Sequence, residues 1–223
     1  MSASSIRELL RNKLTAVRMP FLRKDSASLF TDIYRHNYWG DDESVSGPGS
    51  SLARTSVIRA KLGETIEKIG ATSLLDAACG DFNWLRHVDL GDLRYIGADI
   101  VSDLVVQNNR AYGNALREFV VLDITKDPLP PTDAILCRDC FIHLSFADIQ
   151  NALSNFQKSE CKYLLATTHT QIEENHDIAT GDWRSVNLLA SPFNLPAPLD
   201  LVIENVETGK ALGLWQLEDL KTI

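Results

Sequence analysis

Long hydrophobic runs are missing from this sequence. No apolar stretch approaches the roughly 18 residues that a membrane-spanning helix requires, so no transmembrane segment is predicted. An excess of positive charge is missing as well, because 22 Lys and Arg residues stand against 30 Asp and Glu residues and the net charge is −8. A strongly acidic chain is repelled by phosphate backbones, which disfavours nucleic acid as a partner.

Cysteine is scarce, and its four occurrences form neither a disulfide framework nor a metal site. Cys79, Cys137, Cys140 and Cys161 each lie within or beside an apolar segment, which is typical of buried, reduced thiols. Reduced thiols indicate a reducing compartment, and we expect a cytoplasmic location. The C-x-x-C pair Cys137 and Cys140 has no second pair to complete a metal-binding set, so no metal is expected.

The first 51 residues differ in composition from the rest. Residues 1–24 carry six basic side chains and one acidic one, and their apolar residues recur at helical spacing, which predicts a basic amphipathic helix over about residues 4–18. We expect this helix to dock on the main domain; weak contact with a membrane surface and a targeting role are alternatives. Residues 37–51, rich in Gly, Ser and Asp, are predicted to form a lid-like loop.

Residues 52–223 are predicted to form the main domain, because strand and helix patterns alternate along them. The interpretation places strands at 73–78, 94–99, 119–123, 133–138 and 162–168, and helices at 83–89, 102–116 and 146–158. Short apolar runs separated by helices indicate a mostly parallel sheet. Residues 199–206 and 210–217 are joined by a tight connection, which predicts an antiparallel hairpin.

Acidic residues follow four successive strands of this predicted sheet: Asp76, Asp99, Asp123 and Asp139. Ligands of open parallel sheets bind beyond the carboxyl ends of the strands, so we expect these carboxylates to face a polar ligand. Asp99 lies about 20 residues after the turn that contains Gly80, the position from which an acid accepts hydrogen bonds from a ribose. A loop-capping aspartate is the alternative. The turn lacks the G-x-G-x-x-G pattern, so the expected ligand carries a ribose but no diphosphate.

The segments LLDAACGDFNWL, YIGADI and FVVLDI together resemble the class I S-adenosylmethionine-dependent methyltransferases. Within that family the chain is similar to a bacterial-type subgroup, many of whose members modify small molecules or glycans, through YWG, SGPGSS, CRDCFIHLS, TGDWRSVNL and PFNLPAPL. The resemblance covers about residues 52–217. It implies an α/β, Rossmann-like fold with a seven-stranded, mostly parallel sheet, an antiparallel C-terminal hairpin and helices on both faces. It also implies S-adenosyl-L-methionine as the cofactor.

The resemblance assigns a set of strand-end residues to the cofactor. Those along its methionine part would be Asp76, Ala78, Cys79 and Gly80. Asp99 would hold the ribose hydroxyls, and Arg138 would border the methyl group. The residues at the adenine would be Ile100, Asp123 and Ile124. The family loop usually reads D-x-G-x-G-x-G, whereas Ala78 and Phe82 stand here at its outer glycines.

Candidate catalytic residues follow the fourth and fifth strands. An alcohol acceptor needs a base, because its proton must leave as the new bond forms. His143 is the first candidate and His169 the second, with a buried structural histidine as the alternative. Asp139 would orient a histidine or bind the acceptor directly.

Candidate substrate-binding residues mix aromatic and polar side chains, a combination that suits a sugar-like acceptor. They are Tyr38, Trp39, Trp183, Arg184 and Asn187. The sequence thus predicts methyl transfer to an oxygen, or a nitrogen, of a small polar acceptor such as a sugar or glycan precursor. The alternatives are a non-catalytic cofactor-binding or scaffold protein of the same fold and an NAD-dependent oxidoreductase, which the turn at residues 76–82 disfavours.

Overall fold

The computed structural model of the chain describes residues 25–220, so the helix predicted over residues 4–18 lies outside the described residues. Within them the helices are α1 (Ser26–Arg35), α2 (Ser56–Lys68), α3 (Ser102–Tyr112) and α4 (Phe146–Lys158). The strands are β1 (Ser73–Ala77), β2 (Arg94–Asp99), β3 (Arg117–Val121), β4 (Ala134–Cys137), β5 (Tyr163–His169), β6 (Asp200–Asn205) and β7 (Lys210–Gln216). None of these helices is long and apolar enough to cross a membrane.

The seven strands form one sheet in the order β3-β2-β1-β4-β5-β7-β6. β7 runs antiparallel to both of its neighbours, and the other pairs are parallel. This confirms the predicted α/β, Rossmann-like sheet and its antiparallel C-terminal hairpin. The strand order reverses between β1 and β4, and such a switch point opens a crevice at the carboxyl ends of the two strands.

Alternate side chains of the strands enter two cores, one on each face of the sheet. Leu74 of β1 and Leu136 of β4 pack with α2 and α3 on one face, and Leu75 and Ile135 pack with α4 on the other. Helices therefore cover both faces, as predicted. An irregular segment between β5 and β6 completes the α4 face with its buried apolar residues Val186, Leu188, Phe193 and Leu195. Each such burial contributes about 1.5–3 kcal/mol.

Three local expectations differ from the structure. The sequence interpretation had no helix before residue 52 other than the basic one, whereas α1 begins there at a cap in which Asp25 accepts a hydrogen bond from the Ser28 amide. The helix expected over 83–89 is only a 3-10 turn at Leu85–His87, because Leu85 turns into the core. The helix expected over 102–116 ends at Tyr112, since the chain already turns into β3 there.

Candidate functional site

A cleft of about 500 Å³ lies at the carboxyl ends of the central strands, and this volume falls in the range of small-molecule sites. All nine residues that the resemblance assigns to the cofactor line it: Asp76, Ala78, Cys79, Gly80, Asp99, Ile100, Asp123, Ile124 and Arg138. The candidate catalytic residues Asp139, His143 and His169 line it too. The topology thus brings together side chains from four βα turns.

The turn after β1 has an unusual backbone. Ala78, Gly80 and Phe82 have φ values of +70°, +58° and +58°, in the left-handed region that only glycine adopts without strain. Ala78 and Phe82 each cost about 1–2 kcal/mol there. Burial of the Phe82 ring against Tyr95 and Phe119 offsets this cost. The turn therefore keeps a left-handed geometry at all three positions although two of its family glycines are replaced.

Two carboxylates stand beside this turn in buried surroundings. Asp76 accepts a hydrogen bond from the Tyr95 hydroxyl at 2.7 Å, and burial, together with the nearby charge of Asp99, raises its pKa to about 7. Asp99 accepts the backbone amides of Gly80 at 3.1 Å and Val101 at 2.9 Å, one on each oxygen. Burial raises the pKa of Asp99 as well. Since a carboxylate offers about four lone-pair sites, Asp99 keeps acceptor capacity for a ligand.

The third carboxylate, Asp123, follows β3 and also lines the cleft. Asp123 accepts the Thr125 amide at 3.0 Å and its hydroxyl at 2.6 Å, and Lys126 lies 3.0 Å away. Burial works to raise the pKa of Asp123, but these hydrogen bonds outweigh it and lower the pKa below its usual value. Apolar side chains line the cleft between Asp99 and Asp123: Ile100, Leu104, Leu122 and Ile124.

Arg138, Asp139, Glu204 and Lys210 form what we call the ion-pair cluster. Arg138 donates to Glu204 at 2.6 Å through Nη2 and lies 3.2 Å from Asp139 through Nη1. Lys210 Nζ lies 2.5 Å from Asp139 and 3.7 Å from Glu204. Burial works to raise the pKa of Asp139, but Arg138 and Lys210 hold it well below its usual range. Two cations therefore neutralise two anions at the floor of the cleft.

Asp139 does not orient a histidine, contrary to one of our expectations. Its carboxylate accepts hydrogen bonds from Thr167 and Lys210. No hydrogen bond joins it to His143 or His169 in the described part of the chain. Asp139 is therefore a partner of cations, and its low pKa makes it a poor proton acceptor at neutral pH.

The loop at residues 37–51, for which a lid role was predicted, contacts the turn after β1. The Asp81 carboxylate accepts hydrogen bonds from Ser44 Oγ at 3.0 Å, Val45 N at 3.1 Å and Ser46 Oγ at 3.2 Å. The contact is tight, because a Cβ at Gly80 would lie only 2.1 Å from Ser46 Oγ. The absence of a side chain at this glycine therefore lets residues 37–51 approach the β1 turn closely.

The two candidate histidines differ in their hydrogen bonds. His143 Nδ1 lies 3.0 Å from the Asp182 carbonyl oxygen; because a carbonyl can only accept, Nδ1 carries the proton and Nε2 is left as an acceptor. The ring stacks on Trp39 of the lid, with centroids 4.7 Å apart. His169 Nδ1 lies 3.3 Å from the Val186 carbonyl oxygen. Burial lowers the pKa of both histidines, so both are neutral at pH 7.

The structure divides the candidate substrate-binding residues into two groups. Trp39 and Trp183 line the cleft, whereas Tyr38, Arg184 and Asn187 do not. Arg184 donates hydrogen bonds to three main-chain carbonyls. The Asn187 side chain accepts a hydrogen bond from Thr168 of β5 and donates one to the Ile172 carbonyl in the segment after β5. These two polar side chains hold the irregular segment in place and are buried, which corrects their assignment to the acceptor.

Other cleft residues were missed from the sequence. Phe30 and Tyr34, four residues apart on one face of α1, line the cleft, as does Lys210 at the start of β7. The four-residue spacing after the Asp25 cap was the signal available for α1. The sequence around Lys210 and Glu204 did not predict their place beside the cleft, because their ion-pair partners lie more than 60 residues away in the sequence.

No protein-family model matches the chain, and no curated protein matches its sequence. Solved structures do match. Human N-acetylserotonin methyltransferase in complex with SAM superposes with a TM-score of 0.59 at 13% identity, over 86% of this chain and 60% of that one. The PH0226 protein from Pyrococcus horikoshii OT3 gives 0.55 at 15% identity, over 74% and 89% of the two chains.

The methyltransferase domain of bacterial CtHen1 gives a TM-score of 0.51 at 11% identity, over 74% of this chain and all of that one. This chain thus spans 60% of the length of the human enzyme and the whole of the bacterial domain. Identities this low establish architecture alone. The chain has the fold of the class I S-adenosylmethionine-dependent methyltransferases.

Proposed function

We propose that this protein transfers a methyl group from S-adenosyl-L-methionine to an oxygen of a small acceptor. Because a fold does not imply a reaction, the site must carry the proposal. One juxtaposition supports it: His143, neutral and with Nε2 free to accept a proton, lines the same cleft as three strand-end carboxylates. In this proposal residues 52–223 are the catalytic domain and residues 37–51 are its lid.

The cleft fits this cofactor in size and in chemistry. The remaining lone pairs of Asp99 suit the ribose hydroxyls, and Ile100 and Ile124 offer apolar surface to an adenine. Asp123 has acceptor capacity for an exocyclic amine. We assign Asp76, which lines the same cleft, to the amino-acid part of the cofactor. When bound, the cofactor supplies an electrophilic methyl group on a positively charged sulfur.

The chain's own contribution is to align the two reactants and to remove one proton. Alignment alone is worth about 7–11 kcal/mol when the reacting atoms are held in line. In this proposal residues 37–51 shield the cleft from water, and Nε2 of His143 takes the proton of the acceptor hydroxyl. A lowered histidine pKa keeps this nitrogen unprotonated at pH 7, and general bases of this kind contribute about 10²–10⁴ in rate.

Two histidine substitutions test the base. His143→Ala and His143→Gln should each lower kcat by about 10²–10⁴, while the Kd of S-adenosylhomocysteine measured by calorimetry stays within a factor of about two. His169→Ala is the matched control, because this histidine lines the same cleft with its Nδ1 against a carbonyl. Normal turnover in both His143 variants would overturn the assignment, and a loss confined to His169→Ala would transfer the role to that residue.

Calorimetry with three nucleotides separates the competing functions. Binding of S-adenosylmethionine and S-adenosylhomocysteine without binding of NAD supports the proposal, and Asp99→Asn should weaken both by about tenfold because charged hydrogen bonds to the ribose are lost. Binding of NAD would favour the oxidoreductase. If none of the three nucleotides binds, the result would favour the alternative that this is a non-catalytic protein of the same fold.

A further inference from the structure

The part of the cleft that surrounds His143 is mainly aromatic and apolar. Its lining includes Phe30, Trp39, Ile142, Leu144 and Trp183. The Trp183 side chain lies at the mouth, and the residue is 60% exposed. A large indole is rarely left so open without a use, and its flat face suits the flat face of another ring.

Several charged groups in this region already have partners within the chain. Arg184 donates to main-chain carbonyls, Asp139 is held by Arg138 and Lys210, and Asp148 accepts a hydrogen bond from Thr180. A sugar brings several hydroxyls, each of which loses hydrogen bonds to water on binding. A buried hydroxyl without a new partner costs about 1–3 kcal/mol. The aromatic part of the cleft beside His143 therefore offers few free polar groups to a polyhydroxylated acceptor.

The basicity of His143 also restricts the kind of hydroxyl that it can deprotonate. His143 is oriented by a neutral carbonyl rather than by a carboxylate, and burial lowers its pKa below the usual value although the hydrogen bond to the Asp182 carbonyl works to raise it. Such a base is well matched to a phenolic hydroxyl, whose pKa is about 10 as in tyrosine. It is poorly matched to a hydroxyl as weakly acidic as water, with a pKa near 16.

We infer, given the proposed function, that the acceptor is a planar aromatic compound with a phenolic hydroxyl, held against the indole of Trp183 with its oxygen at His143. In the reaction this oxygen gains the methyl carbon while the sulfur–carbon bond breaks and its electron pair stays on sulfur. The hydroxyl proton passes to Nε2 of His143. The products are an aryl methyl ether and S-adenosylhomocysteine.

A matched pair of acceptors tests this inference. 2-Naphthol and its fully saturated analogue decahydro-2-naphthol have the same carbon skeleton, but only the first is planar and acidic. With the full chain saturated with S-adenosylhomocysteine, calorimetry should show 2-naphthol binding about tenfold more tightly than the saturated alcohol, the gain expected of an aromatic pair. Methyl glucoside should bind more weakly still, and with S-adenosylmethionine only the naphthol should be methylated.

Variants of Trp183 test whether its indole causes the tighter binding of 2-naphthol. Trp183→Ala should weaken 2-naphthol binding about tenfold, and Trp183→Phe should restore most of it, because a ring face is regained. Tyr38→Ala is the control, since this exposed aromatic residue does not line the cleft. Tighter binding of the glucoside, or naphthol binding unaffected by Trp183→Ala, would overturn the inference while leaving the proposed function intact. Failure to bind S-adenosylhomocysteine would instead refute the proposed function.

Discussion

Replacing Glu204 by Gln tests whether the ion-pair cluster acts as a buried unit. The side chains of Arg138 and Glu204 are each only 2% exposed, and Arg138 meets both carboxylate oxygens of Glu204 at 2.6–3.2 Å. After the substitution, Arg138 and Lys210 face the single negative charge of Asp139. A net positive charge is then left in a largely buried cluster, in which Lys210 and Asp139 are only 18% and 16% exposed.

The magnitude follows from this burial. Removing one partner of a buried ion pair costs about 3–5 kcal/mol. Because the amide oxygen of the introduced glutamine can still accept one hydrogen bond from Arg138, we expect the low end, about 3 kcal/mol. In a chain of this length each kcal/mol shifts Tm by about 2–4 °C, so Tm should fall by roughly 6–12 °C.

Urea unfolding at pH 7 measures this loss, and a double-mutant cycle assigns it. Arg138→Met should be as damaging as Glu204→Gln, whereas Arg138→Met combined with Glu204→Met should recover most of the stability, because the two charges disappear together. Asp200→Asn is the control on the same strand, since its partner Lys68 is exposed and the change should be far smaller. A Glu204→Gln loss below about 1 kcal/mol, or a double variant as unstable as the sum of the single ones, would refute the reasoning.

Three further substitutions probe the β1 turn and its surroundings. Ala78→Gly should stabilise the fold by up to about 1 kcal/mol in urea unfolding, because glycine adopts the left-handed backbone without strain, whereas Ala77→Gly in β1 should destabilise it; equal effects would contradict the strain. Gly80→Ala brings a Cβ to 2.1 Å from Ser46 Oγ, so it should displace the lid and weaken S-adenosylhomocysteine binding in calorimetry by about tenfold or more; unchanged affinity would show that the lid does not matter. Asp76→Asn should gain stability relative to the wild type as the pH rises from about 4 to 7, by on the order of 2 kcal/mol. The wild-type carboxyl, with a folded pKa of about 7, favours the folded state most below its unfolded pKa and loses that contribution as the pH rises through 7; a pH-independent difference between the two proteins would contradict this.

The sheet could be predicted from the sequence because its signals are local. Each of the strands β1 to β4 is a short apolar run with an acidic residue at or near its carboxyl end, as in Leu74–Leu75–Asp76, and the carboxyl ends of parallel strands necessarily meet at one edge. Asp99 and Asp123 could therefore be placed in one cleft without any knowledge of contacts. The hairpin followed from the tight turn before β7, which fixes the direction of the two strands.

The interior of the site could not be predicted, because its partners are distant in sequence. Glu204 and Lys210 contact Arg138 and Asp139, which lie more than 60 residues earlier in the sequence. Glutamate and lysine are equally common in a solvent-exposed hairpin, so their residue types did not predict a buried ion pair. Residue type also cannot tell whether a polar side chain serves a ligand or the chain itself. Arginine is a residue type that often binds ligands, yet the guanidinium of Arg184 donates its hydrogen bonds to main-chain carbonyls.

The lid connects the two ends of the cleft, and this gives the Gly80→Ala variant a second consequence. Ser46 lies against Gly80, which we assign to the cofactor, and Trp39, seven residues earlier, stacks on His143, the proposed base. A lid displaced from the β1 turn therefore also removes the ring that holds His143 in place. If the lid moves as one piece, Gly80→Ala should lower kcat at saturating cofactor as well as cofactor affinity. An affinity loss with normal kcat would show that Trp39 stays on His143 without the Ser46 contact.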